Sequence, residues 1–262
     1  MTTNEAFAPP APSADRHRAD AEAAGRLATA AGAILLDLRD ALSDPTSSPD
    51  AVRKAGDRLS HEFLMHELGR SFPADAVLSE EGADDAARLG AARVWIVDPL
   101  DGTREFGQAD RCDWAVHVAL VEHGELVAGA VALPALGTTL TSAQEFAVIE
   151  PRPVPRVLVS RTRRPAPVLA LADALGAELV EMGSAGAKAM AVVRGEAEIY
   201  AHAGGQYEWD SAAPVAVARA AGLHVSRLDG SDPVYNQENP WLPDLLICRP
   251  EWAAQALEVL TR

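Results

Sequence analysis

The stretch Val94-Trp95-Ile96-Val97-Asp98-Pro99-Leu100-Asp101-Gly102-Thr103 constrains this chain more than any other. Its apolar, mostly β-branched start reads as a buried strand. That strand runs straight into two carboxylates three residues apart, so the fold must bring acids to the edge of its core. Pro99 holds Asp98 in extended backbone and stiffens the turn, which lets Asp98 and Asp101 point into one space. Gly102 allows close approach of the main chain to a ligand. Thr103 offers a hydroxyl, and the N–H groups that follow suit phosphate oxygens. The competing reading is an ordinary type I turn with Asp and Gly in favoured places.

Two further acidic points suggest a converging site. Ser79-Glu80-Glu81-Gly82 ends the preceding strand, and Trp209-Asp210-Ser211-Ala212-Ala213 opens a helix. Taken singly, Glu80-Glu81 reads as a solvated loop and Asp210 as an N-cap. Two carboxylates 4 Å apart repel by ~4 kcal/mol at an effective dielectric of 20. Nothing basic lies next to these acids in sequence, so a divalent cation is the simplest counter-charge. All-oxygen donors favour Mg²⁺ over Zn²⁺.

With 262 residues and 48% hydrophobic content, the chain suffices for one large domain or two moderate ones. Its 23 basic and 38 acidic residues give a formal charge of −15, which argues against a nucleic acid polymer or an anionic membrane as partner. A small anionic substrate stays open, because a bound metal reverses the sign locally. Cys112 and Cys248 form no CxxC pair and read as buried small hydrophobes in a reducing compartment. No apolar run is long enough to span a bilayer, and residues 1–13 read as a disordered tail without a secretion signal. The expected location is the cytoplasm.

Helical spacing predicts a helix from about Ala14 to Leu42, with Leu27, Ile34, Leu35, Leu38 and Leu42 on its buried stripe. Ser43 to Pro49 breaks it, and a second helix runs to about Gly69. Strands follow at 76–79, 93–97, 114–121 and 125–133, the last two a hairpin around His123-Gly124. Pro151, Pro153 and Pro155 mark a boundary, beyond which strands and helices alternate: 156–160, 165–175, 178–182, 184–193, a further pair, 245–248, and a last helix from Glu251. The expected architecture is an α+β subdomain at 14–150 that binds metal, then an α/β subdomain at 151–262 that contributes Asp210 and substrate contacts.

Glu80-Glu81, Asp98 to Thr103 and Trp209 to Ala213 resemble, in order and spacing, the three signatures of the inositol monophosphatase superfamily. The resemblance covers nearly everything after the tail. It implies a layered αβαβα sandwich and an Mg²⁺-dependent, lithium-inhibited phosphomonoesterase with two or three ions, active as a monomer or homodimer. It further implies that Glu80, Asp98 and the Leu100 carbonyl hold one ion, and that Asp98, Asp101 and Asp210 hold a second. Asp57 and Thr103 would then orient and deprotonate the attacking water. The family's Val-Thr-x-x-Asp run is replaced here by Val52-Arg53-Lys54-Ala55-Gly56-Asp57.

Within the superfamily, Asp98 to Phe106, Asp113 to Leu120, Gly183 to Lys188, His202 to Gln206 and Tyr235 to Gln237 look most like a bacterial branch. That branch cleaves the 3′-phosphate of 3′-phosphoadenosine 5′-phosphate or of its phosphosulfate, in sulfur assimilation. Leu100, Asp101, Gly102, Thr103 and Asp210 would contact the substrate. Ser184 would cap a helix whose N–H groups, with Lys188, meet the remaining 5′-phosphate; a plain cap beside an exposed lysine is the alternative. Inositol 1-phosphate or fructose 1,6-bisphosphate hydrolysis is the rival activity, and a non-catalytic metal or nucleotide sensor the rival class. A purine-sized apolar wall would favour the nucleotide, but a sequence cannot display one.

Two near matches fall away. His61 and His66 stand five positions apart in His61-Glu62-Phe63-Leu64-Met65-His66. That places them ~140° apart around a helix, unable to share one metal, and expected at the surface. Gly183-Ser184-Ala185-Gly186 lacks the first glycine of a nucleophile elbow.

Overall fold

Along the central strands, alternate side chains enter different cores, and this alternation stacks the chain into layers. The structure is a computed structural model that describes residues 14–40 and 48–261. The expected tail, Leu42 and most of the expected break after it lie outside the described residues. The first sheet runs in order β1 (Ala76–Ser79), β2 (Arg93–Asp101), β3 (Ala115–Glu122), β4 (Glu125–Leu133) and β5 (Thr138–Thr141). β1 and β2 are parallel, and the other pairs are antiparallel. The second sheet is built from β6 (Arg156–Ser160), β7 (Glu178–Met182), β8 (Ile199–Tyr207), β9 (His224–Ser226) and β10 (Trp241–Cys248). Its order is β7-β6-β8-β10-β9, with β6 parallel to both β7 and β8.

Seven α-helices accompany the strands among the described residues: α1 (Ala14–Arg39), α2 (Pro49–Ser71), the single turn α3 (Thr103–Phe106), α4 (Ala166–Leu175), α5 (Ala185–Val193), α6 (Glu208–Ala220) and α7 (Pro250–Leu260). Trp95 and Val97 of β2, with Val116, Val118 and Leu120 of β3, join Leu35 of α1 and Leu64 of α2 in one core. Val94, Ile96 and Val121 face the opposite way, into a second core with Met190 of α5 and Val217 of α6. That core also takes Leu158, Tyr200 and Ile247 from the second sheet. Val157, Val159 and Leu246 leave the second sheet's far face to meet Leu171 of α4 and Ala256 of α7. The layers are therefore helix, sheet, helix, sheet, helix, the expected αβαβα sandwich. Each large apolar side chain so enclosed contributes ~1.5–3 kcal/mol.

Several expectations change. The buried face of α1 is a stripe of small residues, Ala21, Ala24, Ala28 and Ala31, ending at Leu35, while Leu27 and Leu38 are only partly buried. Small side chains let the helix axis approach the sheet, so larger neighbours move to the flanks. β2 continues four residues past Val97, through Pro99 to Asp101, with a register shift against β3 between Asp98 and Asp101. Proline donates no ladder bond, so it is tolerated where the pairing is interrupted. The short strands β5 and β9 and the turn α3 carry too little periodicity to stand out in sequence. Cys248 is buried as expected, but Cys112 is exposed.

Candidate active site

Four acids meet where β1, β2 and α6 bring their ends together. Glu80 follows β1, Asp98 and Asp101 close β2, and Asp210 lies in the first turn of α6. Carboxylate oxygens of Asp98, Asp101 and Asp210 lie within 4.8 Å of one another. Glu80 stands close enough to Asp98, Asp101 and Asp210 for its carboxyl to interact with theirs.

Local bonds fix each acid. Asp98 Oδ1 accepts the Leu100 N–H at 3.0 Å, which folds the strand end back on itself. The buried Ser60 hydroxyl of α2 donates to the Pro99 carbonyl at 2.7 Å and anchors that turn. Gly102 follows at φ 86°; a Cβ there would lie 3.0 Å from Ser184 Cβ and 3.2 Å from the Asp113 carbonyl, so both conformation and space require glycine. Asp210 is the third residue of α6 rather than its N-cap, and its Oδ2 accepts the Tyr207 N–H at 2.7 Å.

Asp101 sits on the N-terminus of α5. It accepts bonds from the Ser184 hydroxyl (2.5 Å), the Ala185 N–H (3.2 Å) and the Gly186 N–H (2.6 Å). This corrects the expectation that these groups await a substrate phosphate, because the helix end already holds an anion. Lys188 is also engaged: its ammonium donates to the Gly183 and Ser184 carbonyls and lies 5.2 Å over the Tyr200 ring. Burial pulls it down to about 8, so it is neither the exposed lysine nor a free phosphate ligand.

The charges are unevenly settled. Burial, then the charges of Glu80, Asp101 and Asp210, push Asp98 well above the usual carboxylate range. Burial and neighbouring acids raise Glu80 to about 7 and Asp210 to about 6. Asp101 goes the other way, to about 2, because His117 and its hydrogen bonds outweigh burial. A site of oxygen donors whose crowded charges lift three of four carboxyls upward fits a hard divalent cation such as Mg²⁺.

Beside the acids, the Thr103 hydroxyl lies 3.2 Å from Asp57 Oδ1 and 3.1 Å from the Leu100 carbonyl. Asp57 comes from α2, and burial with the charge of Glu81 raises it to about 6. The changed residues before Asp57 thus leave its approach to Thr103 intact. A cavity of about 450 Å³ opens over the cluster, lined by Glu80, Asp101, Thr103, Arg163, Lys188 and Asp210.

His117 has no role legible in the sequence. It is fully buried in β3, donates from Nδ1 to the Trp209 carbonyl at 3.0 Å, and brings Nε2 within 3.2 Å of Asp101 Oδ2. The second approach is an ion-pair contact rather than a well-formed hydrogen bond. Burial lowers the imidazole's proton affinity, but Asp101 more than offsets this, so it is raised overall. The available signal was one polar residue among strand positions 115, 119 and 121, whose side chains enter the middle core. His61 is half-buried rather than a surface residue and bonds the Ser79 hydroxyl at 3.0 Å, while His66 is exposed.

Comparison with known proteins identifies the family. The sequence pattern of the inositol monophosphatase family matches residues 17–260. The chain is 49% identical over 254 residues to 3′-phosphoadenosine 5′-phosphate phosphatase of Mycobacterium leprae, covering 92% of this chain and 93% of the other. It is 31% identical over 219 residues to the 3′(2′),5′-bisphosphate nucleotidase CysQ of Escherichia coli K12, covering 76% and 88%. Among solved structures, CysQ of Bacteroides thetaiotaomicron superposes with a TM-score of 0.75 at 28% identity, over 88% of this chain and 97% of that one. Inositol monophosphatase II of Staphylococcus aureus shares the fold, with a TM-score of 0.75 at 17% identity over 94% and 92%. From its signatures, its layers and these relatives, the chain belongs to the inositol monophosphatase family.

Proposed function

We propose that this chain is an Mg²⁺-dependent phosphatase that converts 3′-phosphoadenosine 5′-phosphate to AMP and phosphate, and accepts the corresponding phosphosulfate, within sulfur assimilation. The observation that carries it is the meeting of Glu80, Asp98, Asp101 and Asp210 beside the Thr103–Asp57 pair. The half-identical phosphatase relative supports the choice of substrate.

Glu80, Asp98 and the Leu100 carbonyl would hold one Mg²⁺, and Asp98, Asp101 and Asp210 a second. Bound there, the metal supplies a Lewis acid for the phosphoryl group, a more acidic water and a counter-charge for the leaving oxygen. The chain's own residues do the rest. Thr103 donates its single proton toward Asp57, which leaves its oxygen free to accept from the attacking water. Asp57, raised to about 6, is mostly ionised at neutral pH yet basic enough to take up the water's proton. Water attacks phosphorus in line, the bond to the 3′-oxygen breaks, and no phosphoenzyme forms. Arg163 lines the cavity with no ion-pair partner among the described residues and supplies positive charge for the remaining phosphate.

A colorimetric phosphate assay over a substrate panel, with Mg²⁺ and with chelator, tests this reading. Release should need Mg²⁺ and disappear in Asp101→Asn. A tenfold higher kcat/KM for inositol 1-phosphate or fructose 1,6-bisphosphate, ~1.4 kcal/mol, would reject the substrate. Tight nucleotide binding without turnover would favour a sensor.

A further inference from the structure

The middle layer of the fold holds one buried polar ring that the proposed hydrolysis leaves unassigned. His117 shares a face of β3 with Ala115, Ala119 and Val121, whose side chains enter the core between the two sheets. The small alanines on either side leave room for an imidazole, and the ring reaches both α5 and α6. It is 0% exposed and has no place in the wall of the cavity over the acids, so it has no direct approach to a substrate. Its Nδ1 donates to the carbonyl of Trp209, the residue before Asp210. A carbonyl only accepts, so this nitrogen carries the proton. The other edge of the ring presses on α5: a Cβ added at Gly186 would collide with Nε2, Cε1 and Cδ2. Only glycine lets the helix backbone come this close.

The same edge reaches Asp101. Two donors and one ion-pair contact meet on Asp101 Oδ2: the Ser184 hydroxyl at 2.5 Å, the Gly186 N–H at 2.6 Å and His117 Nε2 at 3.2 Å. A carboxylate oxygen has two lone pairs, so Oδ2 is taken up by the protein. Oδ1 accepts the Ala185 N–H at 3.2 Å and keeps a lone pair for another partner. His117 therefore touches three elements at once: the end of β2 through Asp101, the start of α5 through Gly186 and the first turn of α6 through Trp209. Two of these carry Asp101 and Asp210, whose oxygens belong to one cluster within 4.8 Å. Like charges on separate elements push those elements apart unless a third group joins them.

We infer that His117 is a positioning residue for the acid cluster. Its two ring nitrogens join Asp101 to the start of α6, turn Asp101 so that Oδ1 is the oxygen offered to a divalent cation, and set Asp210 beside it. This rests on the metal-dependent phosphatase reading above and adds a residue that acts through the acids without touching ion or substrate. Replacing a partner that orients a metal ligand typically weakens metal binding roughly 10–100-fold.

The test measures Mg²⁺ binding to the folded protein by calorimetry, apart from activity. His117→Leu removes both contacts at similar volume and should weaken Mg²⁺ binding at least tenfold. An asparagine amide nitrogen falls near the Nδ1 position and a glutamine amide nitrogen near Nε2. His117→Asn thus keeps the Trp209 bond and His117→Gln the Asp101 contact, and each should recover part of the loss. The Mg²⁺ concentration for half-maximal phosphate release should rise in proportion, while KM for the nucleotide at saturating Mg²⁺ stays within threefold of wild type. A role confined to packing would lower Tm in chelator and leave the Mg²⁺ Kd unmoved, so a folded His117→Leu with a Kd within twofold of wild type overturns the inference. If that variant does not fold, Kd values within twofold for both His117→Asn and His117→Gln overturn it equally. Wild type that binds Mg²⁺ without releasing phosphate from the nucleotide defeats the phosphatase reading instead, and calorimetry still decides the role of His117.

Discussion

Replacing Asp210 by asparagine isolates the charge of one acid from its shape. The amide oxygen can still accept the Tyr207 N–H, now met by the carboxylate at 2.7 Å, so the cap of α6 survives. Burial, followed by the charge of Asp101, raises Asp210 from 3.8 to about 6. At pH 8 its ionised form therefore costs the metal-free folded state about 3 kcal/mol. Removing a negative charge from the first turn of a helix loses ~0.3–1 kcal/mol. The metal-free variant should then be more stable by about 2 kcal/mol, or ~4–8 °C in Tm for a chain of this size. The folded wild type binds its proton more tightly than the unfolded chain, so this penalty grows as pH rises from about 4 through 6 and is absent below about 4. Melting curves in chelator should separate with rising pH and merge in acid. Mg²⁺ at a hundredfold its Kd stabilises wild type by ~2.7 kcal/mol and the variant by less, so the order should reverse while phosphate release collapses in the variant. A natively folded Asp210→Asn that melts at or below wild type in chelator at pH 8 would refute the claim that these acids are held against their own repulsion.

Asp57→Asn should lower kcat by 10²–10⁴-fold and abolish the rise in kcat/KM through about pH 6, with Mg²⁺ binding by calorimetry little changed. Incubation with labelled substrate should leave no phosphate on the denatured protein; a stable labelled protein would replace direct water attack with a covalent route. Ser60→Ala removes the donor to the buried Pro99 carbonyl and should cost ~1–3 kcal/mol in urea unfolding, with weaker Mg²⁺ binding as the Asp98 turn loosens. Trp95→Ala, at the fully buried centre of the outer core, should cost ~3–5 kcal/mol while sparing the order of the acids on β2.

Asp98, Asp101, Glu80 and Asp210 were legible as candidates because each stands at the end of a periodic segment, where a side chain leaves the core. Thr103 was legible from the same block, and its approach to Asp57 followed only from a resemblance. Ser184 caps α5 as its position predicts, but what this helix end and Lys188 face is not legible, because a cap and a lysine one turn later look alike whether they face solvent, substrate or another carboxylate. The Ala185 N–H that settles the matter bonds Asp101 across 84 positions of sequence. His117 was invisible for a similar reason: within Ala115 to Glu122 it breaks an apolar run, and only its contacts with Asp101 and Trp209 give the break a meaning.

The sequence alone determined the longer strands and helices and the acids at their ends, because periodicity and backbone sterics act over a few residues. Tertiary structure decided which of those ends meet. Packing of α5 and α6 against both sheets sets Asp101 on one helix terminus and Asp210 in the first turn of the next. Charge balance and proton affinity depend on such distances between remote residues, and no local pattern encodes them.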